Sequence, residues 1–182
     1  MVWLSAGRIP CYNQVGIHSI FKRSDRLINM FKIFNLGNIP NEHIEDPLGV
    51  LSTLYLGEAA GSEKIYVNID RVQPGAKSVK YHSHSRQEEF FLILCGSGII
   101  RIDGREYPVK KGDFVAKPAG RGIAHQFINT GEDVLEILDV GTKEEGDVAY
   151  YPDEDVYLLR DQKKAFSGTE QRVGWSSDPN LT

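Results

Sequence analysis

Residues 75–96 read GAKSVKYHSHSRQEEFFLILCG, the most informative stretch of the sequence. At its centre His82 and His84 lie two residues apart on a predicted strand, so both imidazoles project from the same face. Glu89 opens the apolar run that follows, and Gly96 ends that run. Paired imidazoles on one strand and a carboxylate at the start of the next predict a polar cluster on one face of a sheet.

The chain beyond this stretch alternates short apolar runs with turn signals. Asp103-Gly104 is the strongest of these signals, because both central residues of a two-residue hairpin turn favour a positive φ. The runs predicted as strands are Leu51–Leu56, Glu63–Val72, Val79–His84, Glu89–Leu94, Ile99–Ile102, Arg105–Val109, Phe114–Lys117, Ile123–Asn129 and Val134–Val140. Many short strands at spacings of ~8–12 residues predict an all-β sandwich or barrel.

The run over residues 63–72 has the period of a half-buried strand. Its two alternating sets are Ile65, Val67 and Ile69 against Tyr66, Asn68 and Asp70. Alternate residues of a strand share a face of the sheet, so this strand is predicted to have one apolar and one polar face.

Composition excludes several classes of partner. The 182 residues carry 21 Lys and Arg against 25 Asp and Glu, which gives a net charge of −4. This mild acidity argues against nucleic acid and anionic membranes, which require clustered basic side chains. No apolar run approaches the ~18 residues of a membrane span. Cys11 and Cys95 are too few for a disulfide scaffold, so we expect a reducing, cytoplasmic location. The expected partner is a small-molecule ligand or substrate.

The chain length predicts one domain with extensions. Residues 1–29 carry a net charge of +3, and Met30 opens a second stretch that reads as a natural start. A transit peptide is one reading of residues 1–29, and a mobile arm or an upstream start codon is the favoured one. We predict an N-terminal extension at 1–29, an N-terminal arm at 30–50, a β-barrel at 51–141 and a C-terminal arm at 142–182.

Four residues form a candidate metal site. They are His82, His84, Glu89 and His125. His125 lies on a later predicted strand that an antiparallel barrel can bring alongside the other three. Neutral imidazoles with one carboxylate suit a divalent transition metal ion (Fe, Mn, Zn, Ni or Cu) and do not suit Ca²⁺. A His-x-His pair alone is more often a surface pair, but the surrounding glycines and proline also follow one pattern.

That pattern resembles the two motifs of the cupin superfamily. The first motif corresponds to Gly75, His82-Ser83-His84, Glu89 and Gly96. The second corresponds to Gly112, Pro118-Ala119-Gly120, His125 and Asn129, with four residues between Gly120 and His125. The resemblance covers about residues 51–140. It implies an antiparallel jelly-roll barrel, or double-stranded β-helix, in which the three histidines and the glutamate hold the metal.

Glu88 competes with Glu89 for the role of metal ligand. Adjacent strand residues point to opposite faces, and the spacing to Gly96 favours Glu89. Phe91 and Ile93 then face inward, while Phe90, Leu92 and Leu94 form a second apolar face. A strand that is apolar on both faces is covered on both faces, so we expect a homodimer or a cover formed by the flanking arms.

The sequence leaves three functions open, and no general base can be named from it. The first is a metal-dependent enzyme that resembles the cupin dioxygenases, the second a cupin-type isomerase of sugars or sugar phosphates, and the third a non-enzymatic binding or sensor protein. The predicted substrate pocket consists of Phe91, Ile93 and Phe127, where Phe127 shares its face with His125. Because this wall is apolar, oxidation is placed slightly ahead of isomerisation.

Overall fold

A computed structural model describes residues 33–181, so the predicted extension at 1–29 and the first residues of the arm at 30–50 lie outside the described residues. The strands and the helix are, in chain order, β1 (Ile44–Glu45), β2 (Leu51–Tyr55), α1 (Leu56–Ala60), β3 (Ile65–Val72), β4 (Ser83–His84), β5 (Glu89–Cys95), β6 (Ser97–Ile102), β7 (Arg105–Lys110), β8 (Phe114–Lys117), β9 (His125–Ile128), β10 (Leu135–Thr142), β11 (Val148–Tyr151), β12 (Val156–Leu159), β13 (Lys164–Ser167) and β14 (Glu170–Gln171). Short 3₁₀ turns occupy Leu36–Asn38, Asn41–His43 and Arg160–Gln162.

A six-stranded antiparallel sheet forms the first wall of the barrel, in the order β1-β2-β3-β10-β5-β8. Its register places Glu89 of β5 between Lys117 of β8 and Gly141 of β10. Gly141 in turn lies opposite Tyr66 of β3. Residues from widely separated parts of the sequence therefore meet at one level of this sheet.

Two smaller antiparallel sheets form the second wall. Their orders are β7-β6-β9 and β14-β13-β12-β11-β4. Isolated bridges between His82 and His125, and between Lys77 and Ile128, connect β9 to the segment that leads into β4. The bridges join the two sheets into one surface that carries the three predicted histidine ligands.

The two walls enclose a cavity of about 800 Å³. Beneath it lies an apolar core of Val72, Ala76, Phe91, Ile93, Ile100, Phe127, Leu135 and Ile137. The predicted all-β antiparallel jelly-roll barrel is confirmed, because its strands pair antiparallel throughout the described residues. No helix in residues 33–181 is long and apolar enough to cross a membrane.

The predicted runs become strands with one clear exception, and β1 and β11 to β14 lie outside those runs. β8 has the predicted bounds, and both residues of the Asp103-Gly104 turn have a positive φ, of 49° and 73°. The run predicted over Val79–His84 contracts to Ser83–His84. The preceding residues instead follow β9 through separate backbone hydrogen bonds, such as the one from the Ser78 amide to the Phe127 carbonyl (3.0 Å).

Candidate metal centre and cavity wall

His82 is held in place from two sides. Its backbone exchanges hydrogen bonds with that of His125, at 3.1 and 2.8 Å, across the bridge that joins β9 to the first motif. Its ring Nδ1 lies 2.8 Å from the Lys80 carbonyl oxygen, which can only accept, so Nδ1 carries the proton. The lone pair of the neutral ring is therefore on Nε2.

His84 is oriented by a carboxylate from the C-terminal segment. Its Nδ1 lies 2.6 Å from Oδ2 of Asp147, just before β11, and β11 pairs with β4. Although burial by itself raises the pKa of Asp147, hydrogen bonds from His84 and from the Arg86 and Gln87 amides outweigh it, so the pKa lies below its usual range. The ionised carboxylate keeps the proton on Nδ1 of His84 and leaves Nε2 as an acceptor.

The two Nε2 atoms face each other at 2.9 Å. Burial lowers the pKa of His82 well below its usual value, and the charge of His84 lowers it further. Burial also lowers the pKa of His84. With both rings neutral and both Nδ1 atoms protonated, two lone pairs point toward the same space, an arrangement that a cation between them relieves.

Glu89 opens β5, and its side chain is buried beside His84 and His125. Oε1 accepts hydrogen bonds from the Tyr66 hydroxyl and from Nε2 of Gln87, both at 3.0 Å, and lies 3.5 Å from Nε2 of His84. Oε2 forms an ion pair with Nζ of Lys117. Glu88 is exposed to solvent, so the carboxylate that faces the cavity is that of Glu89.

The structure groups three of the four predicted ligands. Ligand atoms of His82, His84 and Glu89 lie within 4.8 Å of one another, a geometry that can hold a metal ion. His125 is buried beside them, with its ring centroid 4.8 Å from that of His82, but it does not belong to this group. Its Nδ1 lies 3.0 Å from Nζ of Lys117 and 3.8 Å from Oε2 of Glu89. Burial and the Lys117 charge lower the pKa of His125 well below its usual value.

The large sheet lines the cavity with oxygen-bearing side chains. They are Thr53, Tyr55, Tyr66, Asn68, Asp70 and Asp139. The Tyr66 hydroxyl lies 3.0 Å from Oδ1 of Asp139 as well as from Glu89, and Thr53 Oγ1 donates to Oδ1 of Asp70 at 2.6 Å. This polar wall faces the imidazoles across the cavity.

Two carboxyl groups of the polar wall have raised pKa values. Burial raises the pKa of Asp139 well above its usual value, and the charges of Asp70 and Glu89 raise it further. Burial raises the pKa of Asp70 to about 6, with the Thr53 hydrogen bond opposing the shift. A hydroxyl has a single proton, so Tyr66 can donate to only one carboxylate; a protonated Asp139 that donates to Tyr66, which donates to Glu89, satisfies all three.

Residues after β10 complete the cavity mouth. The partly exposed Arg160 donates from Nη1 to Oε1 of Gln87 at 2.8 Å, and Gln87 in turn donates to Glu89. Tyr151 stacks on the His82 ring with centroids 5.3 Å apart. The C-terminal segment is therefore part of the site as well as of the second wall.

Sequence and structure comparisons identify the family. A cupin domain model matches residues 68–141. The structure of a sugar phosphate isomerase of the cupin superfamily from Silicibacter pomeroyi is 30% identical, with a TM-score of 0.61, and the alignment covers 74% of this chain and 90% of that one. The chain belongs to the cupin superfamily.

Two further proteins are similar to this cupin. A protein from Acidithiobacillus ferrooxidans, provisionally described as a sugar phosphate isomerase, is 29% identical with a TM-score of 0.62 over 69% of this chain and 81% of that one. An oxalate-binding protein from Thermotoga maritima is 36% identical over 67 residues, which is 37% of this chain and 54% of that protein. The cupin spans about half the length of the curated relatives it matches.

The donor set of this cupin fits a divalent transition metal ion. Two ligands bound at right angles by bonds of ~2.1 Å lie about 3 Å apart, which is the separation of the His82 and His84 Nε2 atoms. Glu89 supplies a negative charge, and Asp147 orients His84 from behind as a carboxylate commonly does for a metal-bound histidine. The residues that would hold the ion are His82, His84 and Glu89.

The predicted substrate pocket of the cupin divides into two parts. Phe91 and Phe127 line the cavity, with ring centroids 5.2 Å apart. Ile93 is buried in the apolar core and is not among the cavity-lining residues of the described chain. It shares the face of Phe91 and lies two residues further along β5, opposite Ile137, which does line the cavity.

Sequence reasoning missed much of the cupin site, including Lys117, Asp139, Asp147 and Arg160. Asp147 lies 63 residues from His84 along the chain, in a segment without a motif, so only the β4–β11 pairing reveals it. Asp139 and Lys117 lie on predicted strands, and a charged residue on a strand is normally assigned to the solvent-facing side. A usable signal for Lys117 was its place immediately before the Pro118 motif, on the same strand face as Val115.

Proposed function

We propose that this cupin is a metal-dependent isomerase of a small polyhydroxylated carbonyl compound, a sugar or a sugar phosphate. The polar wall carries the proposal, because Thr53, Asn68 and Asp70 offer hydrogen-bond partners to several substrate hydroxyls beside the candidate metal ligands. The likeness to the sugar phosphate isomerase from Silicibacter pomeroyi supports it. The sequence alone showed only the aromatic half of the cavity, and the polar half reverses the order of the two enzyme classes.

The reaction requires groups that move protons between two carbons and two oxygens. A bound divalent cation supplies Lewis acidity that polarises the carbonyl. Asp70, ionised above a pKa of about 6, takes the proton from the carbon beside the carbonyl and returns it to the neighbouring carbon. The protonated Asp139, with Tyr66 beside it, serves the oxygen side by donating to one oxygen as the other loses its proton.

The cavity mouth supplies a place for an anionic group. Arg160 and Lys143 both line the cavity, and the Arg160 guanidinium keeps donors free after its bond to Gln87 because it has five N–H groups. A phosphorylated substrate would place its phosphate there and its carbonyl near Glu89. Comparing each sugar phosphate with its unphosphorylated sugar tests this part of the proposal.

Proton NMR in D₂O tests the reaction directly. Protein loaded with Mn²⁺, Co²⁺ or Zn²⁺ is incubated with aldoses, ketoses and their phosphates, and the catalysed proton transfer is expected to introduce deuterium beside the carbonyl. D70N is expected to lower kcat at least about 100-fold while the metal affinity stays within about threefold. D103N, in an exposed turn, is the matched control with unchanged turnover.

Oxidation remains the second candidate because Phe91 and Phe127 form an apolar patch against His125, with the Phe91 and His125 centroids 4.6 Å apart. Oxygen uptake with phenols, thiols or diketones, without deuterium incorporation from any sugar, would reverse the order of the proposals. Tight binding of a sugar without either reaction would favour the binding or sensor alternative.

We also propose that two copies of this chain associate through the outer face of the large sheet. Phe90 and Phe114 are 39% and 71% exposed, and their rings stack with centroids 6.0 Å apart. Light scattering at micromolar concentration is expected to give the mass of a dimer, and F114E is expected to give a monomer. A monomeric wild type would rule the dimer out.

A further inference from the structure

Lys117 occupies an unusual place for a lysine. Its side chain is 2% exposed and lies between Glu89 and His125, inside the candidate metal centre. β5 and β8 pair in a register that places Lys117 directly opposite Glu89, so the ammonium is held there by the sheet and not by a loop. A buried lysine requires a counter-charge, and Oε2 of Glu89 provides it.

The contact with His125 fixes which nitrogen of that ring is available. An ammonium can only donate hydrogen bonds, so Nδ1 of His125, 3.0 Å from Nζ of Lys117, accepts one with its lone pair. The proton of the neutral ring then lies on Nε2. A nitrogen that carries a proton cannot bind a metal, and the other nitrogen already accepts from Lys117.

We propose that Lys117 withdraws His125 from the metal ligands and lowers the affinity of the site, leaving His82, His84 and Glu89 as the protein ligands. The three-residue grouping agrees with this, because His125 stands outside it. The ammonium also pairs with the carboxylate that a dication needs, so ion and lysine compete for the charge of Glu89. One ligand fewer leaves one more position for substrate oxygens.

This inference rests on the metal binding in the proposed function but not on the reaction. The probe is Co²⁺, which is titrated into metal-free protein without substrate; calorimetry gives the affinity, and the visible absorption of Co²⁺ reports a change in its ligands. K117M keeps the length of the side chain and removes its charge. We expect K117M to bind Co²⁺ at least tenfold more tightly, which is about 1.4 kcal/mol, with a changed absorption spectrum.

Two further variants make the test specific. H125A in the wild-type background is expected to change Co²⁺ affinity less than threefold, while H125A added to K117M is expected to lose the changed spectrum. K110M removes an exposed lysine of β7 that does not line the cavity, and its Co²⁺ affinity is expected to stay within threefold of wild type.

The outcomes separate cleanly. A large loss of Co²⁺ affinity in H125A alone, or equal or weaker binding by a folded K117M, would overturn the inference. If K117M does not fold, K117Q and the single variant H125A decide it. If K117M binds Co²⁺ and the wild type does not, the inference is supported. If neither protein binds Co²⁺, the inference is overturned. Absence of isomerase turnover with these affinities intact would refute the proposed reaction alone.

Discussion

The two walls of the cavity differ in how their function is encoded. The imidazole wall presents His82, His84 and His125, whose spacing is visible in the sequence. The polar wall presents Tyr66, Asp70 and Asp139 from strands that carry no motif. A motif is visible when functional residues lie at fixed separations along the sequence. A wall assembled from several strands shows only the alternation of polar and apolar residues within each strand.

Alternation identifies the residues that share a face but not the face that is internal. On β3 the apolar set includes Ile69, which is buried opposite Leu54 on the outer side of the sheet, while Asp70 faces the cavity. Ordinary half-buried strands turn their polar face to water, so a polar cavity inverts the usual assignment.

H84A is expected to have the largest effect on metal binding by the imidazole wall. Loss of one of three ligands is expected to weaken Co²⁺ or Zn²⁺ binding more than about 100-fold, which is about 2.8 kcal/mol, and to abolish the thermal stabilisation that bound metal provides. Calorimetry and thermal unfolding with and without metal measure both effects. H82A is expected to behave alike. H43A, whose ring pairs with Glu58 and not with a candidate ligand, is expected to match wild type in metal binding. Equal metal content in wild type and H84A would refute the site.

The link between that wall and the C-terminal segment is tested by D147N. An amide at this position can donate to Nδ1 of His84, which allows the proton to move to Nε2 and removes the lone pair. Changes to such supporting carboxylates cost about 10–100-fold in metal affinity. Calorimetry measures the loss, and D153N, whose side chain pairs with Arg101 outside the cavity, is the control. An affinity unchanged in D147N would mean that the tautomer is fixed by other contacts.

The polar wall is disturbed without touching a ligand by G141A. A Cβ at Gly141 would lie 2.5 Å from the Tyr66 ring, so the ring must move away from Asp139 and Glu89. Overpacking of this kind costs about 1–3 kcal/mol, and urea unfolding of the metal-free protein measures it.

The Tyr66→Val background provides the control for G141A, because the clash is then absent and the cost should nearly vanish. A G141A penalty that persists in this background would show that the strain arises in the strand and not at Tyr66. Metal affinity in G141A is expected to fall less than in D147N, since no ligand is displaced.

The smallest effect concerns pH and the same wall. Asp70 has a folded pKa of about 6, above the value of an unfolded chain, so folding favours its protonated form. The unfolding free energy of the metal-free protein should therefore fall as pH rises from about 4 to about 6, by about 1–2 kcal/mol. D70N lacks this fall and is expected to exceed wild type in stability above pH 7.

Urea unfolding at several pH values measures the difference between wild type and D70N. The exposed turn variant D103N is the reference for changes unrelated to the cavity. A wild-type and D70N difference that is constant from pH 4 to pH 8 would contradict a raised pKa at Asp70.

The sequence predicted the barrel well because strand pairing leaves local signals. The Asp103-Gly104 turn and the bounds of β8 illustrate this, since a positive φ and an apolar run are properties of adjacent residues. Val79–His84 was predicted as a strand, but only Ser83 and His84 pair with β11, while His82 bridges to β9 and the Lys80 amide bonds to the Ser177 carbonyl. Alternation alone does not report whether a partner strand is continuous.

The candidate site was less predictable because its polar contacts are long-range. Asp147 reaches His84 and Arg160 reaches Gln87 across 63 and 73 residues, which no local spacing records. The metal set of His82, His84, Glu89 and His125 is still a prediction, and the position of Lys117 beside His125 is what a motif cannot show. Resemblance to the family identifies the candidate metal ligands. It does not identify a neighbouring charge, such as that of Lys117, that affects whether a candidate ligand can bind the ion.

The carboxylate behind His84 has a consequence for modularity. The family match ends at residue 141, but Asp147, which sets the protonated nitrogen of a candidate ligand, follows six residues later. A gene fusion or recombination event that transferred only the matched segment would transfer the histidines without the group that prepares one of them. The segment that must be transferred to keep this candidate metal centre intact is therefore longer than the segment that the family model matches. It extends at least through β11.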